Sequence, residues 1–180
     1  MKDKRKLSSA KTVALVGICA ASLECVKLVL SFLPNIEAVT LFTAIYGYAF
    51  GWLGVAAAAV FVCVETAIYG INTWVVLYFI YWPLVAFVFM FLRRVGVKNR
   101  WLITAIAVAL TVIFGILSAL IEVGLFSGAF DRFWYRFAVY YARGIIFYTL
   151  QIASNAVLFP LLFTYLTEKL EKLKPHLFST

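Results

Sequence analysis

Charge is scarce in this chain, and acid most of all. Only 13% of its 180 residues are charged, with 8 Asp and Glu, 16 Lys and Arg, and one histidine. That poverty excludes most catalytic designs. No Ser/His/Asp set can be assembled, because His176 sits in a polar tail. No His-Glu-x-x-His, cysteine pair or intramembrane carboxylate doublet suggests metal-assisted hydrolysis. Gly-x-x-x-x-Gly-Lys-Ser/Thr is absent, so the chain is not expected to hydrolyse ATP itself. The 3 cysteines, Cys19, Cys25 and Cys63, lie in apolar runs without metal-ligand spacing and read as small buried hydrophobes. No enzyme, metal or permanently bound cofactor is expected.

What is abundant is hydrocarbon. The chain is 65% hydrophobic with a mean hydropathy of +1.00, which rules out an ordinary soluble domain. It holds 17 Phe, 10 Tyr and 5 Trp. A net charge of +8 invites a nucleic-acid reading, but the basic residues cluster where apolar runs end. Membrane topology accounts for them, and no nucleic-acid partner is expected.

A helix crossing a hydrocarbon core needs roughly 20 residues. The first apolar run, at about 12–33, exceeds the roughly 7–15 residues of a signal-peptide core and is followed by more spans, so it reads as a retained helix. An apolar stretch from Ala38 to Gly70 is too long for one span and short for two. Gly51-Trp-Leu-Gly54 supplies a turn within it, giving short helices at about 38–51 and 54–70. Further helices follow at about 74–92, 101–123 and 134–166, the last long enough to project beyond the hydrocarbon. The expected fold is an all-α integral membrane protein. It comprises a basic N-terminus (1–11), a compact six-helix domain (12–166) and a tail (167–180).

Orientation follows from the basic residues. Lys2, Lys4, Arg5, Lys6 and Lys11 precede the first span; Arg93, Arg94, Lys98 and Arg100 join the fourth and fifth; Lys169, Lys172 and Lys174 follow the sixth. This side, with both termini, is assigned to the cytoplasm, and the protein to the plasma membrane.

The charges within the spans then fall in the opposite half. Glu24, Lys27, Glu65, Glu122 and Arg143 lie inside or at the ends of spans, where an ionisable group costs roughly 3 kcal/mol unless paired, wetted or used. Arg136, Tyr140, Arg143, Phe147, Gln151 and Ser154 share one face of the sixth helix, with Asn155 beside it. For the amides and serine, hydrogen bonds between helices explain the pattern as well as a ligand does. Arg143 needs a carboxylate, a phosphate or water, and Glu65 and Glu122 are the protein candidates. Glu65 with Tyr69, Ser118 with Glu122, and Trp74 with Tyr78 and Tyr81 mark faces of three more helices, with Trp82 adjacent. Single aromatics read as packing. Their shared depth points to a pocket open to the outside, with rings stacking a planar ligand and charges fixing its edges. Glu24 and Lys27, at i and i+3, are also spaced to neutralise each other. On the cytoplasmic half of the first helix, Ala10, Ala14, Gly17 and Ala21 form a small-residue stripe permitting close helix contact.

The basic N-terminus, the Ala10-x-x-x-Ala14 and Gly17-x-x-x-Ala21 spacing, Ser31-Phe-Leu-Pro-Asn-Ile-Glu-Ala-Val-Thr-Leu41 and Tyr46-Gly-Tyr-Ala-Phe-Gly-Trp-Leu-Gly54 resemble the substrate-binding S component of energy-coupling factor (ECF) vitamin transporters. The turn Phe50-Gly51-Trp-Leu-Gly54 is one residue shorter than the family pattern. The resemblance spans nearly the whole chain. It implies a subunit that captures a micronutrient from outside and docks on a membrane T component energised by two cytoplasmic ATPase subunits, which consume the ATP. It implies that Ala10, Ala14, Gly17 and Ala21 contact the T component. It also implies that loops 34–37, 70–74 and 124–134 gate the pocket. Asn35, Glu37, Asn72, Trp74 and Trp134 thereby join the candidate ligand set of Glu24, Lys27, Glu65, Tyr69, Tyr78, Glu122, Arg136, Tyr140 and Arg143. Similarity is closest to the cobalamin and hydroxymethylpyrimidine members, with cobalamin narrowly preferred because an aromatic outer surface suits a large amphipathic ligand. Riboflavin, pantothenate and other B vitamins stay open. So do two readings outside the family: an autonomous secondary transporter coupled through Glu65, Glu122 and Arg143, and a structural assembly protein whose charges lock helices together.

Overall fold

A computed structural model describes residues 8–33, 36–126 and 131–177, and every regular element among them is helical. Helix α1 spans Ser9–Leu30, α2 Val39–Phe50, α3 Trp52–Tyr69, α4 Thr73–Arg94 and α5 Arg100–Ile121, with α5 continuing through a π-helical turn, Glu122–Phe126. Helix α6 covers Phe133–Leu158, a π-helical segment covers Phe159–Phe163, and α7 covers Thr164–Leu177. Asn35 lies outside the described residues, as do Lys2, Lys4, Arg5 and Lys6 of the basic N-terminus.

Five helical runs are long and apolar enough to cross a membrane: α1, α3, α4, α5 with its π turn, and the continuous run from Phe133 to Pro175. The expected second span falls short. Helix α2 has 12 residues, so it rises about 18 Å against a hydrocarbon core of about 30 Å. All but its partly covered Phe42 and Phe50 are buried, so α2 is wrapped by protein. Its length is set by two local devices. Glu37 caps its start, accepting from the Thr40 backbone N–H at 2.9 Å and from Thr40 Oγ1 at 2.7 Å. Gly51 ends it at φ 62°, ψ −125°, a conformation that a side chain resists, and the chain turns directly into α3.

Helix α2 also packs closely on α4. A Cβ built at Gly47 would stand 2.1 Å from the Ala86 carbonyl oxygen, so the two backbones meet at a position only glycine can fill. Helix α1 packs on α3 and α2 from one side, and α6 packs on α5 from the other. Pro160 explains the π segment inside the last run. It offers no N–H and its ring crowds the carbonyl one turn back, so the helix widens there rather than breaking.

The basic end is stitched by polar contacts. Tyr48 donates its hydroxyl to the Val97 carbonyl at 2.8 Å, and Glu171 accepts from Arg93 at 3.1 Å and Lys174 at 2.8 Å. Asn99 caps α5 through its side-chain oxygen, which accepts from the Trp101 and Leu102 backbone N–H groups. Two of the three cysteines differ from the sequence expectation. Cys19 is buried, but Cys25 and Cys63 face outward, and all three thiols are free. An outward cysteine in a membrane helix still meets hydrocarbon, which is why an apolar run alone does not tell inside from lipid-facing.

Candidate functional site

At the end opposite the basic one, α4 carries Trp74, Tyr78 and Trp82 four residues apart, one above the other on a single face. Their rings meet edge to face, with centroids 4.9 Å apart for Trp74–Tyr78 and 5.4 Å for Tyr78–Trp82. Tyr69, at the end of α3, extends the row to Trp74 at 5.8 Å. Here the structure departs from the sequence reading: Trp82, rather than Tyr81, continues the row, and Tyr81 is buried against Phe114.

Lys27 of α1 enters this aromatic row. Its ammonium lies 4.7, 5.3 and 5.7 Å from the ring centroids of Tyr69, Trp74 and Tyr78. It forms an ion pair with Glu65 of α3, whose side chain is wholly buried. Glu24, one turn before Lys27, stands beside Glu65 and interacts with it. Two sequence expectations are corrected by this arrangement. Lys27 bonds a carboxylate on another helix rather than its own neighbour Glu24. The two carboxylates also form a doublet inside the span that spacing along the chain did not reveal. Two acids on different helices acquire proximity only when the helices pack. The three rings contribute about 0.5–2 kcal/mol apiece to holding the ammonium where it is partly shielded from water.

Beyond Lys27 opens a cavity of about 550 Å³ between α1, α4, α5 and α6. Its α4 wall is Trp74, Leu77 and Tyr78, its α5 wall Phe114 and Ser118, and its α6 wall runs from Tyr140 to Tyr148. A second chamber of about 230 Å³ adjoins it and shares Lys27, Tyr78, Phe114 and Phe147. This chamber extends between the end of α1, the start of α2, Trp82 and Gln151. The charged groups lining the larger chamber are Lys27 and Arg143; no carboxylate among the described residues lines it.

Arg143 is a third correction in the charge map. Neither Glu65, taken by Lys27, nor Glu122 bonds it, and among the described residues Arg143 has no hydrogen bond or ion pair. Its side chain is exposed at the chamber wall. Glu122 and Arg136 border a neighbouring groove of about 320 Å³ together with Tyr140 and Arg143.

Glu37 was expected in an outer loop. It does lie in the connection before α2, but its carboxylate reaches the level of Thr111, halfway along α5, where it accepts from Asn155 Nδ2 at 2.7 Å, while that same nitrogen donates to Thr111 Oγ1 at 3.1 Å. Ser154 donates to the Glu37 carbonyl at 3.2 Å. Thus Ser154 and Asn155 join helices. Gln151 differs: its side-chain oxygen is buried without a partner among the described residues, and so is the Trp82 indole nitrogen. Both residues line the smaller chamber.

The other expected residues stand apart. Trp134 is 73% exposed and packs on Phe133 and Phe137, away from the chambers. Asn72 precedes α4 and lines neither chamber. Ala10, Ala14, Gly17 and Ala21 are all exposed, and a Cβ at Gly17 would meet nothing within 4 Å. Sequence reasoning missed Leu77, Phe114, Gly144 and Tyr148. Phe114 carried a usable signal, since it sits one turn before Ser118 and two before Glu122 on the α5 face already singled out. No protein-family model, curated protein or solved structure matches the chain.

Proposed function

We propose that this chain is the substrate-capture (S) subunit of an ECF-type importer for a vitamin or related micronutrient. The observation that carries the reading is the aromatic-walled chamber between α1, α4, α5 and α6, with Arg143 at its wall and unengaged by protein. In that reading six helical passes, α2 being the short one, place both termini and the basic end in the cytoplasm of a prokaryotic cell. The chamber then faces outside. The exposed stripe Ala10, Ala14, Gly17 and Ala21 serves as the contact for the T component, with two ATPase subunits beneath it. Smooth, small-residue helix faces suit sliding contact within a bilayer, because association there depends on close packing.

Chamber size bears on the ligand. The larger chamber, at about 550 Å³, falls in the range that buries a small ring-bearing molecule, and the adjoining 230 Å³ extends it. A corrinoid is larger than either chamber and would sit largely outside, so cobalamin, the narrow preference from sequence, yields to the smaller vitamins in this proposal. The decisive experiment is purification followed by a vitamin screen for co-purification and thermal stabilisation. Tight binding without ATP, with uptake only when T and ATPase subunits are present, is the expected result. Uptake into liposomes by this chain alone would sink the proposal.

One observation favours a second reading. The Glu24–Glu65 doublet with Lys27 is an acid–acid–base cluster built around one buried carboxylate, of the kind that couples proton movement to transport. An autonomous secondary transporter would show substrate uptake driven by a pH gradient in liposomes, abolished in Glu65→Gln.

A further inference from the structure

We infer that the two adjoining chambers select a planar, ring-bearing oxyanion: a carboxylate or phosphate held by Arg143, with the ring's hydrogen-bonding edge read by Gln151 and Trp82. The inference rests on the capture reading above and assigns the chemical class of its ligand.

Three observations converge on it. The larger chamber is lined by Lys27 and Arg143 and by no described carboxylate. Glu65 and Glu24 stand behind Lys27 rather than in the larger chamber's wall, and the one carboxylate lining the smaller chamber, Glu37, is occupied by Thr40 and Asn155. Lys27 is already neutralised by Glu65 and held over three rings, which leaves Arg143 as the cation with unused donors. A guanidinium presents a planar fork matched to a carboxylate or phosphate, and in a partly dry chamber that match is charge-assisted.

The second observation lies deeper. Trp82 is 5% exposed and Gln151 is 9% exposed, and each has a buried polar atom without a partner among the described residues. An indole N–H can only donate and a carboxamide oxygen can only accept, so together they ask for a ligand edge bearing one acceptor and one donor. Such edges belong to amides and nitrogen heterocycles, and an unmet buried polar group costs enough to favour a ligand that meets it. The third observation is the wall shared by both chambers. Tyr78, Phe114 and Phe147 line each of them, giving a ring faces to stack on between its polar edge and its acidic tail.

The test uses the full-length protein in neutral maltoside detergent and matched probe pairs that differ in charge: nicotinate and nicotinamide, pyridoxine phosphate and pyridoxine, flavin mononucleotide and riboflavin. Affinity is read from thermal shifts and tryptophan fluorescence. At least one acidic member should bind about tenfold or more tightly than its neutral partner, the difference expected for charge-assisted hydrogen bonds. Arg143→Gln should erase that preference by weakening only the acidic member, and Arg143→Lys should restore part of it. Gln151→Leu should weaken both members alike. A neutral member binding as well as its acidic partner, unchanged in Arg143→Gln, overturns the inference and leaves the capture reading standing. Binding of a cationic or uncharged vitamin alone, such as thiamine or riboflavin, does the same. No binding by any vitamin overturns both. A phospholipid headgroup carries the same oxyanion, so phosphatidylglycerol is titrated separately. Stabilisation by that lipid and by none of the soluble acids assigns Arg143 to the membrane and overturns the inference.

Discussion

Lys27 of α1 is bonded to Glu65 of α3, a side chain with no exposure, while Lys27 keeps 28% of its own side-chain surface accessible. The pair is therefore lopsided, and so are the consequences of breaking it.

Removing the base should hurt more than removing the acid. Lys27→Met leaves a wholly buried carboxylate beside Glu24 with no counter-charge, and breaking a buried pair this way costs about 3–5 kcal/mol. Glu65→Gln leaves an ammonium that still has three aromatic faces and water, so its cost should be smaller. Thermal unfolding in detergent should rank the midpoints wild type, Glu65→Gln, Lys27→Met. The double variant Lys27→Met/Glu65→Leu should recover stability relative to Lys27→Met alone. The opposite order would mean the ammonium, not the carboxylate, is the group that packing strands.

Asn155 ties α6 to both α2 and α5 through Glu37 and Thr111. Asn155→Ala should lower stability by about 1.5–3 kcal/mol, the usual loss for a hydrogen bond to a charged group. Asn155→Asp should be worse, because it sets a second carboxylate against Glu37. Denaturant unfolding in mixed micelles would measure both; equal stability of the two variants would argue against a direct Asn155–Glu37 contact.

Glycine positions on α2 should separate by mechanism. Gly51→Ala meets a backbone penalty of about 1–2 kcal/mol from its positive φ, with only the Met90 side chain nearby. Gly47→Ala forces a carbon to within 2.1 Å of a carbonyl oxygen and must push α2 away from α4. Expression and unfolding midpoints should fall further for Gly47→Ala.

The exposed stripe of α1 predicts a split phenotype. Gly17→Leu meets open space and removes a helix-weakening glycine, so the isolated protein should be as stable as wild type or more so, by up to about 1 kcal/mol. Under the capture reading, ligand binding survives while assembly with the T component, or transport, is impaired. Retained assembly together with lost binding would place that stripe against the wrong partner.

Much of the architecture was written in hydropathy and punctuation. Runs of apolar residues fixed where most helices lie, and Gly51 marked the α2–α3 turn. Residues on one helix that share a face, such as Trp74 with Tyr78 and Ser118 with Glu122, were also legible, because helical periodicity relates them directly. The short, enclosed character of α2 was harder. Hydropathy measures dislike of water and reads the same for a helix buried in protein as for one facing lipid. That ambiguity hid the outward placement of Cys25 and Cys63 and the depth of Glu37.

The sequence by itself determined that the chain is helical and membrane-compatible, and that its few interior charges gather toward the end away from its basic loops. Tertiary structure alone decided who meets whom. It paired Lys27 with Glu65 rather than Glu24, set two acids side by side, occupied Glu37 with Asn155 and left Arg143 unbonded among the described residues at a chamber wall. The reason is physical: face and depth follow from periodicity within one helix, whereas contacts between helices depend on rotation and approach, set by packing details such as the missing side chain at Gly47.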